Sequence, residues 1–296
     1  MSEIFKSTRA RIIYGIAALS ATFLCVVLRT LSVLFFFDKD IGYYQTGAAL
    51  PIIFEVLTIV SVIAAIAFAL VKPISICANN ASDASYVKYA AILAGIGVVA
   101  FTITYAKGLI SYLSVYSLTW QMALSLISSI CACVFFILIA FTNPRASIAY
   151  VLTGCMTVIW LALALASSYF DNFVQMNSPN KVIFIFGSLG GMLLVVNEMR
   201  RGLDEQKSGL HLLGATAASL LLTVGSLPSL IGFLAGKMPM NYSNFYYDIA
   251  FFSLAIFAVA RLVQLCFGAN TVAKAQAEEI TSDEDNPEIN ENQEQN

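Results

Sequence analysis

Two ionisable residues stand where this chain can least carry charge. Arg29 and Glu55 bound the segment RTLSVLFFFDKDIGYYQTGAALPIIFE, in which two apolar runs meet at a short polar turn. The first run ends near Phe37 and the second begins near Ala48. At about 1.5 Å of rise per residue, Arg29 lies roughly 12 Å and Glu55 roughly 10 Å below the same membrane face. Ionised groups in hydrocarbon cost a few kcal/mol each, so they face the protein interior, pair, and mark functional sites. The spacing therefore predicts an Arg29–Glu55 ion pair on neighbouring antiparallel helices. Such a pair is either a clamp on the hairpin or part of a site for a polar ligand or ion.

The other residues that could take part lie toward the same face. Asp248 sits just inside the last apolar run, behind Tyr246 and Tyr247, and Asp171 leaves the fifth run beside Tyr169 and Phe170. With Tyr43 in the first turn, they complete the candidate ligand-binding set: Arg29, Glu55, Asp248, Asp171, Tyr43 and Tyr247. Nine of the thirteen tyrosines gather toward this face. Amphipathic rings prefer the headgroup level, so an aromatic belt accounts for most of them. Asp38 and Asp40 read as solvated turn residues, since Lys39 between them opposes a cation. Near the other face, Arg261 is close enough to a helix end to snorkel. Glu198 and Asn197 are its alternative partners.

Enzyme signatures are missing where they would be visible. The single histidine, His211, rules out HExxH and any His-rich metal cluster. Ser188 and His211 fall toward opposite faces, so they make no dyad. GFLAGK at 232–237 is too short between its glycines for a phosphate-binding loop. No catalytic residue, metal, cofactor or nucleic-acid partner is expected.

The elements that must position these residues are transmembrane helices. Of 296 residues 59% are hydrophobic and 11% charged, against about 25% charged in a soluble domain. Eight runs approach the 20 or so residues that cross a hydrocarbon core: roughly 12–37, 48–71, 89–106, 117–141, 147–170, 182–198, 209–236 and 245–268. The first is too long for a cleaved signal peptide. The third is bracketed by Lys88 and Lys107, and the sixth is short. The expected fold is all-α, a polytopic membrane bundle of eight helices forming one domain, residues 1–268.

Counting Lys and Arg in the loops gives ten on the side of the N-terminus and four on the other. The positive-inside rule then puts both termini in the cytoplasm. Residues 269–296 carry one Lys against eight acids and are expected to form a disordered, acidic cytoplasmic tail. The six cysteines include none in an outer turn, so no disulfide framework is expected.

Three patterns concern packing. The first and third outer turns both open with Phe-Asp and deliver a Pro to the next helix, a weak sign of a four-plus-four repeat. Gly187 and Gly191 in GSLGG are spaced for close helix contact, inside the bundle sooner than in a dimer. Gly225 and Pro228 in VGSLPSLIG predict a kink that frees backbone groups, which neighbours or water must satisfy.

DKDIGYY at 38–44, MNSPNK at 176–181, NEMRRGL at 197–203 and the late SLPSLIG resemble uncharacterised multi-pass membrane proteins of Gram-positive, clostridial-type bacteria. Lys39 and Ile41 depart from that group's Asp-Pro-x-Thr-Gly-aromatic pattern. The resemblance implies a bacterial plasma-membrane setting and no activity.

Two functions remain. One is binding or transport of a small polar or amphiphilic molecule through an outward-facing cavity at Arg29 and Glu55. The other is a non-catalytic membrane scaffold or subunit that holds a partner protein. The expected partners are the bilayer and, on one reading or the other, a small molecule, a lipid or a membrane protein.

Overall fold

The computed structural model describes residues 2–71, 84–141, 147–171, 178–202, 208–238 and 245–268. The acidic tail therefore lies outside the described residues. Eight helices account for nearly everything within them: α1 (Ser2–Phe36), α2 (Ala49–Ala69), α3 (Ser85–Leu113), α4 (Trp120–Phe141), α5 (Ile148–Tyr169), α6 (Pro179–Gly202), α7 (Ser208–Leu234) and α8 (Phe245–Phe267). All eight are long and apolar enough to cross a membrane. The chain is a multi-pass integral membrane protein folded as a helix bundle. The α1–α2 turn marks one end of the bundle, the hairpin face; the opposite end is the terminal face.

Three helices outrun their sequence boundaries by several residues, the span expected at 12–37 beginning already at Ser2. The span expected at 89–106 extends from Ser85 to Leu113, past both Lys88 and Lys107. The one expected at 182–198 extends from Pro179 to Gly202. In α6 the reason is chemical: Asn197 and Glu198 interrupt the apolar run, yet both are buried and bonded to other helices, so the helix continues.

Helices α3 to α8 form a ring, each packed on the next in order, with α8 closing on α3. The ring is filled by aromatic side chains: Phe101, Phe135, Phe136, Tyr150, Trp160, Phe251 and Phe257 share one core with small alanines such as Ala94 and Ala258. Phe184 stacks on Phe251 at 4.7 Å and 9°, an offset geometry favoured by aromatic quadrupoles. The remaining pair stands outside. α1 packs on α7 and α8, and α2 on α1 and α7. The chain is thus two plus six, an arrangement that gives no support to a four-plus-four repeat.

Burial follows this layout. In its most apolar window α8 is 67% buried and α2 only 17%, so α2 owes its place to a narrow contact. That contact is a small cluster of Phe54 with Cys25, Val26, Leu220 and Val224. The GSLGG segment packs internally. A Cβ added at Gly190 would meet Ala217 O and Ala218 Cα of α7 at 3.3 Å, and one at Gly191 would meet Leu161 of α5 at 3.3 Å.

The turn between α1 and α2 is a miniature hairpin, β1 (Phe37–Asp38) against β2 (Tyr43–Tyr44). Gly42 takes φ +78°, and its N–H donates to Asp38 O at 2.8 Å; glycine adopts this left-handed conformation without Cβ strain. The Asp38 carboxylate accepts the N–H of Asp40 at 2.9 Å. Asp38 is committed to its own turn, and Ser178 ties that turn to α6 by donating to Gly42 O at 3.3 Å.

Candidate functional site

Arg29 is completely buried on α1, about 10 Å from the end of the helix by rise per residue. It faces α7, and the cause lies in the sequence of α7. Pro228 sits inside that helix; with no N–H it leaves the carbonyl four residues earlier, that of Val224, without its helical donor. Arg29 supplies the missing donor. Its Nη1 donates to Val224 O, and to Gly225 O at 2.7 Å. Nη2 donates to Asn180 Oδ1 of α6 at 2.8 Å and to Ser229 Oγ at 3.3 Å. The buried cation and the broken helix each provide what the other lacks.

The expected ion pair with Glu55 is corrected by this geometry. All of Arg29's partners are neutral oxygens, and no ion pair joins it to Glu55 among the described residues. Helix phase explains why. Phe54 is the large side chain that α2 buries, at 1% exposure, and Glu55, about 100° further round, is exposed. Glu55 acts on this region through its field. Tyr44 feels both the Arg29 guanidinium and the Glu55 carboxylate; burial raises its pKa most, Arg29 opposes the rise and Glu55 adds to it.

The other candidates fall elsewhere. Tyr247 stacks into the ring interior, 4.3 Å from Phe101 and 5.6 Å from Phe184 between ring centres. Asp248, next to it, is buried and is not among Arg29's partners. The Asp171 backbone carbonyl accepts a hydrogen bond from Lys181 Nζ at 2.9 Å. Tyr43 pairs with Asp38 in the hairpin and is part-exposed. Trp120, Tyr116 and Tyr169 are well exposed, as belt residues would be. The structure therefore divides the six candidates: Arg29, Glu55 and Tyr43 lie outside the ring, near Tyr44; Tyr247 and Asp248 are on α8; and Asp171 follows the end of α5.

A second polar cluster lies toward the terminal face. Glu198 of α6 meets Arg261 of α8 through Nε at 2.7 Å and Nη2 at 2.8 Å, side-on to the guanidinium. Its Oε1 is also 2.9 Å from His211 Nε2 of α7. Arg261 Nη1 donates to Gln264 Oε1 at 2.5 Å, and its carbon lies 5.5 Å from the Phe257 ring centre. Tyr150 of α5 donates to the Glu198 backbone carbonyl at 3.1 Å. All these groups are at most 2% exposed. Arg261 is paired, not snorkelling, and the cluster locks four consecutive helices of the ring together.

Between α1, α2 and α7, on the terminal half, lies a cleft of about 450 Å³. Ala17 and Ala21 of α1 face Ala64 and Ala65 of α2 across it. Its few polar groups include the Tyr14–Thr216 pair, 2.8 Å apart. Ile13, Val60 and Phe68, more than half exposed, form its rim. Sequence reasoning placed a cavity at Arg29 and Glu55. This one begins at Thr22, about 10 Å along the helix from Arg29. A closed, empty cavity of this volume would cost about 10 kcal/mol at about 24 cal/mol per Å³, as much as a whole domain's stability.

Fold and sites together define the class, a multi-pass membrane bundle with two buried polar clusters and a lateral apolar cleft. No family model, no curated protein and no solved structure matches the chain.

Proposed function

We propose that the protein binds an amphiphilic molecule, whose apolar chain occupies the cleft between α1, α2 and α7, and passes it to or from the bilayer. The observation that carries this reading is the cleft itself. It falls within the usual 300–1,000 Å³ range of small-molecule sites, is lined by alanines more than by any other residue type, and has the exposed side chains of Ile13, Val60 and Phe68 at its rim. At that depth the surrounding medium is acyl chain, so an amphiphile reaches it without crossing water. Arg9, exposed one turn below Ile13 on the same helix face, is placed to meet an acidic head group. Cytoplasmic termini and a bacterial plasma membrane belong to the same proposal; they rest on the Lys and Arg distribution and on the resemblance of the turns.

Native mass spectrometry of the protein released in mild detergent tests it. The expected result is a lipid-sized adduct that is lost in Ala64→Phe, whose ring fills the cleft, while the melting temperature holds. An adduct that survives Ala64→Phe, or no adduct at all, contradicts the reading.

A scaffold reading is favoured by a different observation. α2 exposes Ile52, Ile53, Val56, Ile59 and Ile63 around Glu55. A carboxylate on a lipid-facing helix gains from a partner helix with a donor. A protein-sized adduct that depends on Glu55 in the same experiment would support it.

A further inference from the structure

Arg29 spends four of its five N–H groups on neutral oxygens, and the fifth, Nε–H, has no hydrogen-bond partner. Two further groups with a donor to spare stand around it. Because Asn180 must turn Oδ1 toward the guanidinium, the orientation of its amide is set, and its Nδ2 is left without a partner. The Tyr44 hydroxyl oxygen lies against the Arg29 guanidinium, which can only donate to it, so its own O–H is left without an acceptor. Arg29 and Asn180 are 0% and 7% exposed, so these are not groups that bulk water serves. No carboxylate lies within ion-pair distance of Arg29 among the described residues. A buried positive charge surrounded by idle donors has the composition of an anion site, since donors aimed at an ionised acceptor make the strongest hydrogen bonds.

We propose that Arg29 Nε, Asn180 Nδ2 and the Tyr44 hydroxyl bind a small monovalent anion, a halide or a carboxylate, that enters from the hairpin face. Tyr44 is part-exposed in the turn and marks the way in. A phenol is protonated at neutral pH and burial raises its pKa further, so its hydroxyl serves as a donor. Glu55 works against the anion. Its charge disfavours the Tyr44 phenolate, and the same field disfavours a bound anion. The site is separate from the amphiphile cleft and stands whether or not the cleft is filled.

The test is the melting temperature of the detergent-solubilised protein as chloride, and separately formate, replaces isethionate at constant ionic strength. A ligand that binds only the folded state raises the melting temperature with concentration. The wild type is expected to show a saturable rise with at least one of the two anions. Tyr44→Phe removes an O–H that has no acceptor in the folded protein and should fold as the wild type does. It should weaken the apparent affinity about tenfold, the size of one hydrogen bond to a charged group. Glu55→Gln should tighten it. A flat response in the wild type, or the same response in wild type and Tyr44→Phe, overturns the site. A response confined to Glu55→Gln overturns it too, by showing that Glu55 itself fills the position in the native protein.

Discussion

Arg261 and Arg29 are buried almost equally, at 2% and 0% exposure, and each lies about two turns from the end of an apolar helix. Arg261 meets a carboxylate along one edge, with His211 on the same carboxylate and Gln264 on its remaining nitrogen. Arg29 meets backbone carbonyls, an amide and a hydroxyl. The first guanidinium is neutralised, whereas the second is satisfied only as a donor. Hydrogen bonding and charge compensation are separate requirements, and a proline-broken helix can meet the first without the second. A closed cluster such as that around Arg261 fixes helices in place. An uncompensated cation such as Arg29 still has affinity to offer.

The largest expected effect falls on the neutralised side. Glu198→Ala strands Arg261 in the bundle, and removing one member of a buried pair costs about 3–5 kcal/mol. Unfolding of the protein in mixed micelles should show that loss. If the double variant Glu198→Met with Arg261→Met regains most of it, the cluster is a clamp whose members matter only to each other. Arg29→Met should cost less, about 2–3 kcal/mol, because it leaves two carbonyls and an amide unserved but no charge. A loss as large as that of Glu198→Ala would show that Arg29 is neutralised by a group other than these oxygens.

Tyr44→Phe comes next. Without added anion it should cost about 1 kcal/mol at most, since its O–H has no acceptor to lose and only the contact of its oxygen with the Arg29 guanidinium goes. Glu55→Gln should have the smallest effect, within about 0.5 kcal/mol. A loss of several kcal/mol there would restore the Arg29–Glu55 pair that helix depth alone suggests.

Much of this contrast was legible in the sequence, but in pieces. Eight apolar runs became eight helices, and Gly225 with Pro228 announced freed carbonyls in α7. Arg29 was evident as a buried cation. What the sequence could not supply was the contact between them, made across 195 residues, because the short α1–α2 turn suggested α2 as the partner instead. Depth matched Arg29 to Glu55, but helix phase, set by which face α2 buries, separated them. Asn180 and Tyr44 were missed for a related reason. Asn180 follows Pro179 at a helix start and Tyr44 lies in a turn rich in aromatics, so each has an ordinary local role. The Glu198–Arg261 pair was within reach, since both residues stand near helix ends on the same face. The six-membered ring, with α1 and α2 outside it, leaves no trace in loop lengths.

The central claim is that Arg29 stands in for the backbone donor that Pro228 removes. A double-mutant cycle of Arg29→Met and Pro228→Ala, read as unfolding free energies in micelles, tests it most directly. Alanine at 228 restores an N–H for Val224 O, so Arg29→Met should cost about 1 kcal/mol less in that background than in the wild type. Strict additivity of the two changes would contradict the account and leave the burial of Arg29 without its cause.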